Sequence, residues 1–188
     1  MTEHPNLTTE RLVLRPFRVE DAADVQRLAG DYAVAAATLR IPHPYEDGMA
    51  EQWIATLGPA FEKGEQIALA VTSREDGTLL GAIGLTLDAV NQSAELGYWI
   101  GKPFWGRGYA TEAARTLVRF GFEKLGLNRI YAHHFVHNPA SGRVLQKAGL
   151  SREGYLPQAI RKWDRFVDLV LYGVVREKWQ QERRATQA

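Results

Sequence analysis

The residues from Glu95 to Leu150 carry the strongest chemical signal in the chain. They read as an alternating strand, a glycine-rich turn Trp105-Gly106-Arg107-Gly108-Tyr109-Ala110-Thr111-Glu112-Ala113, a helix, a strand and a second helix. A glycine-rich turn that opens a helix presents main-chain N–H groups at the positive end of the helix dipole, which suits a pyrophosphate. Two nucleotide-binding patterns fail on the residues themselves. In a dinucleotide fingerprint begun at Gly106 and Gly108 the third glycine position holds Thr111, and the preceding strand belongs to an antiparallel meander. A P-loop needs Gly-Lys-Ser/Thr four residues after a glycine, and the turn has none. On this turn alone, an ordinary glycine-rich loop stays open as the alternative.

His133, His134 and His137 are candidate metal ligands by type. Spacing argues against them. Adjacent strand residues point to opposite faces, and positions 133 and 137 lie about 13 Å apart at ~3.3 Å per residue. No cysteine exists to complete a ligand set, so no metal is expected and structural or substrate-facing roles fit these histidines better. The same lack of cysteine excludes a thiol nucleophile and a disulfide framework, and leaves the redox compartment undetermined.

The elements that must position these groups alternate along the chain. At 188 residues, 45% hydrophobic and 24% charged, the composition fits one globular domain over 1–188. Lys+Arg at 23 against Asp+Glu at 22 gives a net charge of +1, so neither nucleic acid nor an anionic membrane is expected as a partner. The start Met1-Thr2-Glu3-His4-Pro5 lacks the pattern of a secretory signal and no apolar run is long enough for a bilayer, so a cytoplasmic location is expected. Leu12-Val13-Leu14 with Arg15, Pro16 and Phe17 reads as a first strand, and Glu20-Asp21 opens a helix ending near Gly30. Residues 31 to 64 read as one or two helices broken at Ile41-Pro42-His43-Pro44. Ile67–Thr72, Leu79–Leu87 and Ala94–Ile100 read as a meander, with Glu75-Asp76-Gly77 as its first turn.

In the third of these strands Ala94, Leu96, Tyr98 and Ile100 share one face and Glu95, Gly97 and Trp99 the other. Gly97 is expected to mark a bulge, a close backbone approach or simple tight packing. Pro103 stops the strand, and an amphipathic helix runs from Ala110. A charged surface helix is expected over 175–184.

Trp105 to Ala110 resembles the acetyl-CoA pyrophosphate loop of the GNAT superfamily, Gln/Arg-x-x-Gly-x-Gly/Ala, with Gly108 and Ala110 matching and Trp105 in place of Gln/Arg. The closer similarity is to ribosomal-protein N-acetyltransferases of the RimJ/RimL type. It is carried by Thr9-Glu10-Arg11-Leu12-Val13-Leu14-Arg15, Ala94 to Ile100, Gly106 to Ala113, Asn138-Pro139-Ala140-Ser141, Lys147-Ala148-Gly149-Leu150, Glu153 to Leu156 and the ending Asp168 to Trp179. Each segment alone is unspecific; their order and spacing together are strong.

The resemblance implies an α/β (α+β) GNAT fold: a mixed, mostly antiparallel sheet flanked by helices and splayed into a V between the strand ending near Ile100 and the strand from Ile130 to Val136. It implies acetyl-CoA as cosubstrate. The backbone at Trp99 and Ile100 would pair with pantetheine, the turn Trp105, Gly106, Arg107, Gly108, Tyr109, Ala110 and Thr111 would hold the pyrophosphate, and Asn138 and Ser141 would reach pantetheine and sulfur. Asn138 also suits a helix N-cap. The implied activity is acetyl transfer to a primary amine, either a protein N-terminal α-amine or a small molecule, by direct attack in a ternary complex. Glu95 is the candidate base, through water, and Ser141 the candidate acid, because the tyrosine many GNAT enzymes place two residues before Lys-x-Gly is Leu145 here. Tyr98, His43 and Trp163 are candidates for the acceptor side, with Phe104, Trp105 and Phe166 as further aromatics that either line a pocket or fill the core. A homodimer is left open. The alternatives are a non-catalytic acyl-CoA sensor and, behind it, an NAD-dependent oxidoreductase.

Overall fold

The computed structural model describes residues 4–187, so the polar start Met1-Thr2-Glu3 lies outside it. Its centre is one sheet of eight strands in the order β1-β2-β3-β4-β5-β6-β8-β7: β1 (Leu7–Thr8), β2 (Leu12–Pro16), β3 (Gln66–Ser73), β4 (Leu79–Asp88), β5 (Ser93–Ile100), β6 (Arg129–Phe135), β7 (Ser151–Lys162) and β8 (Arg165–Val175). The helices are α1 (Ala22–Ala29), α2 (Tyr32–Ala36), α3 (Met49–Glu62), α4 (Tyr109–Glu123), α5 (Pro139–Lys147) and α6 (Arg176–Gln187). Every neighbouring pair of strands is antiparallel except β5 and β6.

That one parallel pair shapes the molecule. A parallel neighbour needs a crossover, and α4 supplies it. Pairing lasts only for Ser93 with Arg129, Ala94 with Ile130 and Glu95 with Tyr131. Beyond it β5 stays with β4 as far as Ile100, while β6 stays with β8 as far as Phe135. The sheet thus opens into the expected V, and residues 96–100 present an unpaired strand edge to the gap.

The faces follow the two-residue period of the strands. Ala94, Leu96 and Ile100 of β5 and Ile130 and Ala132 of β6 pack against Ala113, Leu117 and Val118 of α4 and Leu145 of α5. On the other face Ala22, Val25 and Leu28 of α1 and Ala50 and Ile54 of α3 cover the sheet, with Trp99 against them. Leu117 is fully buried, so truncating it to alanine costs about 2–5 kcal/mol and loosens the helix that follows the glycine turn.

Gly97 differs from expectation. The β4–β5 ladder runs without a register shift through its pair with Gly84, and a Cβ at Gly97 would meet no atom within 4 Å. The close approach belongs to Gly81 of β4 instead, where a Cβ would lie 2.1 Å from the carbonyl oxygen of Trp99. Gly97 is thus open space beside the V.

Candidate active site

The glycine turn is built by two ties. Gly106 and Gly108 have φ of +75° and +82°, a left-handed geometry that glycine adopts at no steric cost, and Gly108 is the N-cap of α4. Glu112 in the first turn of α4 accepts from Thr9 Oγ1 at 2.6 Å, from the Arg11 main-chain N–H at 3.0 Å and from Arg11 Nε at 2.7 Å. Arg11 also donates to the carbonyl of Arg107 at 2.9 Å, and its guanidinium lies over the Tyr109 ring. Burial pushes the Glu112 carboxyl up, but the bonds from Thr9 and Arg11 outweigh it and leave the group below the usual range. The second tie is the Trp105 indole, which donates to the Ile100 carbonyl at 2.6 Å and fastens the turn to the end of β5. Thr9, Arg11 and Glu112 stand in the sequence as motif residues with no local sign of a role; their clamp joins segments about a hundred positions apart.

Two cavities open on either side of the V. One, of about 420 Å³, is lined by Trp99, Ile100, Trp105, Gly106, Gly108, Tyr109, Ala110, Thr111, Asn138 and Ser141, with Phe104, Arg143 and Lys147 at its wall. Arg107 is not part of that lining; it contributes its carbonyl to Arg11. The other, of about 520 Å³, lies towards α1 and α3 and is lined by Glu95, Gly97, His133, Arg40, Ile41, Tyr45, Trp53 and Phe135 among others. Tyr98, Trp99, Ser141, Ala37 and Thr38 belong to both.

The wall between the cavities is polar at one point. Tyr98 Oη sits 2.7 Å from Ser141 Oγ and donates to the Ser141 carbonyl at 3.1 Å. Burial of the phenol pushes Tyr98 up to about 12, so it is a protonated donor at neutral pH. Asn138 caps α5, its Oδ1 accepting from the Ser141 N–H at 3.3 Å, and this holds Ser141 in the first helical turn. Leu145 is fully buried in the core, so no polar group reaches the V from that position.

At the vertex, just past the last β5–β6 pair, His133 Nδ1 lies 3.1 Å from Glu95 Oε1. The hydrogen bond from His133, with the charge of Arg40 added, holds the Glu95 carboxyl below the usual range. The other histidines are bound differently: His134, buried on the other side of β6 yet still at the lining of the larger cavity, has Nδ1 2.8 Å from the Phe135 carbonyl, and His137 Nε2 lies 3.2 Å from the Ala36 carbonyl. His43 and Trp163 line neither cavity; they cluster with Tyr32 on the outside, ring centroids 5.2 and 5.5 Å from it. Phe166 is exposed. Beside that cluster, Lys162 at the tip of the β7–β8 hairpin donates to the carbonyls of Leu39 and Ile41 at 3.2 and 2.8 Å, and so holds a wall of the larger cavity. Burial pushes its ammonium down. The sequence has no local signal for that anchor.

Comparison with known proteins agrees with this architecture. Residues 11–151 match the acetyltransferase (GNAT) domain family, and the chain belongs to it. It is 31% identical over 93% of its length to the uncharacterized N-acetyltransferase YoaA of Bacillus subtilis, covering 98% of that protein. It is 28% identical to the [ribosomal protein uS5]-alanine N-acetyltransferase of Escherichia coli over 92% of each chain. Among solved structures, the ribosomal L7/L12 α-N-protein acetyltransferase RimL in complex with coenzyme A superposes with a TM-score of 0.83 at 15% identity, over 91% of this chain and 98% of that one. The chain is an N-acetyltransferase of the GNAT family, and the dinucleotide reading of its glycine turn falls. No helix among the described residues is long and apolar enough to cross a membrane.

Proposed function

We propose that this chain transfers acetyl from acetyl-CoA to a single primary amine, by direct attack in a ternary complex. The observation that carries the reading is the pair of cavities meeting at Tyr98 and Ser141 across the V. Amides of the turn at the start of α4 receive the pyrophosphate, the free edge of β5 at Trp99 and Ile100 pairs with pantetheine, and Asn138 and Ser141 stand where the sulfur arrives. The amine enters from the larger cavity. Its nitrogen bonds to the thioester carbonyl carbon, the C–S bond breaks, and the sulfur leaves with the electron pair. A simple thiol has a pKa near 8.5, so the departing thiolate needs little acid help and Ser141 Oγ–H suffices as a hydrogen-bond donor to it.

The charge of the larger cavity selects the acceptor class. Glu95 is its one acidic lining residue among the described residues, with Arg40 and His133 beside it. One carboxylate receives one ammonium; a polyamine would set further cations against Arg40. An α-amine also deprotonates easily: reaching the free base at pH 7 costs about 1.4 kcal/mol from a pKa near 8, against about 4.6 for a lysine-like amine. The uS5-alanine N-acetyltransferase relative points the same way, towards a protein N-terminus or an amino-acid-like amine. Initial rates with acetyl-CoA and an N-terminal peptide both varied will give intersecting double-reciprocal lines. Parallel lines would indicate an acyl-enzyme and remove the ternary mechanism.

A further inference from the structure

An amine attacks a thioester only as its free base, so the acceptor ammonium must lose a proton within the larger cavity. Glu95 is poorly suited to receive it. One of its oxygens is already met by His133, and the neighbouring Arg40 charge favours its ionised form. A carboxylate held ionised takes up a proton weakly near neutral pH, whereas an imidazole exchanges one there readily. His133 lines the same cavity, its side chain is partly exposed, and with Nδ1 directed at Glu95 its Nε2 is the nitrogen left for a ligand.

Resting on the acetyltransferase reading above, we propose that His133 is the catalytic proton acceptor for the amine and that Glu95 is its positioning residue. The Glu95 carboxylate accepts from Nδ1–H, which fixes the tautomer with a lone pair on Nε2. Nε2 takes one proton from the bound ammonium and leaves the free amine, whose lone pair forms the N–C bond. The C–S bond breaks with its electron pair on sulfur, one of the two protons left on the nitrogen passes to that thiolate by way of the Ser141 hydroxyl or solvent, and the imidazolium gives its proton to solvent. The strand geometry explains why these two residues meet. Glu95 pairs with Tyr131 at the last parallel rung, and His133 is the next residue of β6 on that face, where the strands begin to part. Arg40 on the segment between α2 and α3 and Tyr131 on β6 interact with Glu95, Tyr98 and His134 line the same cavity, and β8 places the apolar Leu171 opposite His133.

His133→Asn separates the two roles, because the Asn amide keeps an N–H for Glu95 but has no basic nitrogen. With the best acceptor from a panel of N-terminal peptides, amino acids and monoamines, kcat/KM should fall about 100-fold or more. Acetyl-CoA affinity, read by calorimetry, should stay unchanged and show the variant to be folded. The deficit of His133→Asn should shrink at high pH, where the amine arrives already as its free base. Glu95→Gln, whose amide oxygen still accepts from Nδ1–H, should lose less kcat/KM than His133→Asn near neutral pH. An active wild type with a His133→Asn variant within a few-fold of it, or with a deficit that stays the same at high pH and is exceeded by that of Glu95→Gln, would overturn the assignment alone. A wild type that binds acetyl-CoA and acetylates no amine would overturn the acetyltransferase reading together with it.

Discussion

Tyr98 Oη on β5 lies 2.7 Å from Ser141 Oγ in the first turn of α5, so one hydroxyl pair bridges the two arms of the V at the point common to both cavities. Ser141→Ala should lower turnover while leaving acetyl-CoA affinity close to wild type, and Tyr98→Phe should do the same with a loss of about 0.5–1.5 kcal/mol in stability. Because they remove one shared contact, the double variant should lose less than the sum of the singles in kcat. Strict additivity would show that the bridge has no part in catalysis.

The clamp on Glu112 makes the glycine turn depend on a segment distant in sequence. Glu112→Gln weakens charge-assisted bonds to Thr9 and Arg11, and urea unfolding should show a loss of about 1.5–3 kcal/mol. Acetyl-CoA affinity should drop with it. Gly108→Trp should weaken acetyl-CoA binding more directly, since it forces a side chain into φ +82° and obstructs approach to the amides. Unchanged affinity in Gly108→Trp would mean that the pyrophosphate sits elsewhere.

Gly97 offers a test confined to the acceptor. A Cβ there meets nothing within 4 Å, and the position lines the larger cavity only. Gly97→Leu should therefore change stability by little, keep acetyl-CoA affinity and raise the KM for the amine. Equal loss in both substrates would contradict the division of the two cavities.

Acid should unfold the protein through its paired carboxylates. Asp21, bonded twice by Arg15 at 2.7 and 2.8 Å, and Glu112 are both held below their ordinary values of 3.8 and 4.5, the bonds outweighing burial. A folded pKa lower than the unfolded one contributes stability that is complete above the unfolded value and is lost as pH falls through the folded value. The urea midpoint should thus hold steady down to about pH 5 and fall below pH 4.5. Glu112→Gln should flatten that fall; an unaltered slope would show that the clamp contributes no linkage.

The parts of this architecture legible in the sequence are those set by local periodicity. The two-residue alternation of β5 placed Glu95 and Trp99 on one face, and the glycine turn followed by apolar residues at helical spacing placed the start of α4. Asn138 as the cap of α5 was readable for the same reason. What the chain did not disclose depends on contacts between distant segments. The clamp from Arg11 to Glu112 and the anchor from Lys162 to Leu39 and Ile41 have no local pattern. His133 could be assigned to a face, but its meeting with Glu95 depends on the parallel register of β5 and β6, which no residue pattern in either strand specifies. Gly97 carries three readings in the sequence, a bulge, a close backbone approach or tight packing, because a glycine by type alone does not distinguish crowding, found at Gly81, from open space.

The most direct test of the central claim is release of free thiol from acetyl-CoA by the purified protein, measured with and without N-terminal peptides, amino acids and monoamines. The expected result is tight acetyl-CoA binding, slow release alone, and release strongly stimulated by an α-amine with a matching acetylated product. Binding without amine-dependent release over the whole panel would contradict it.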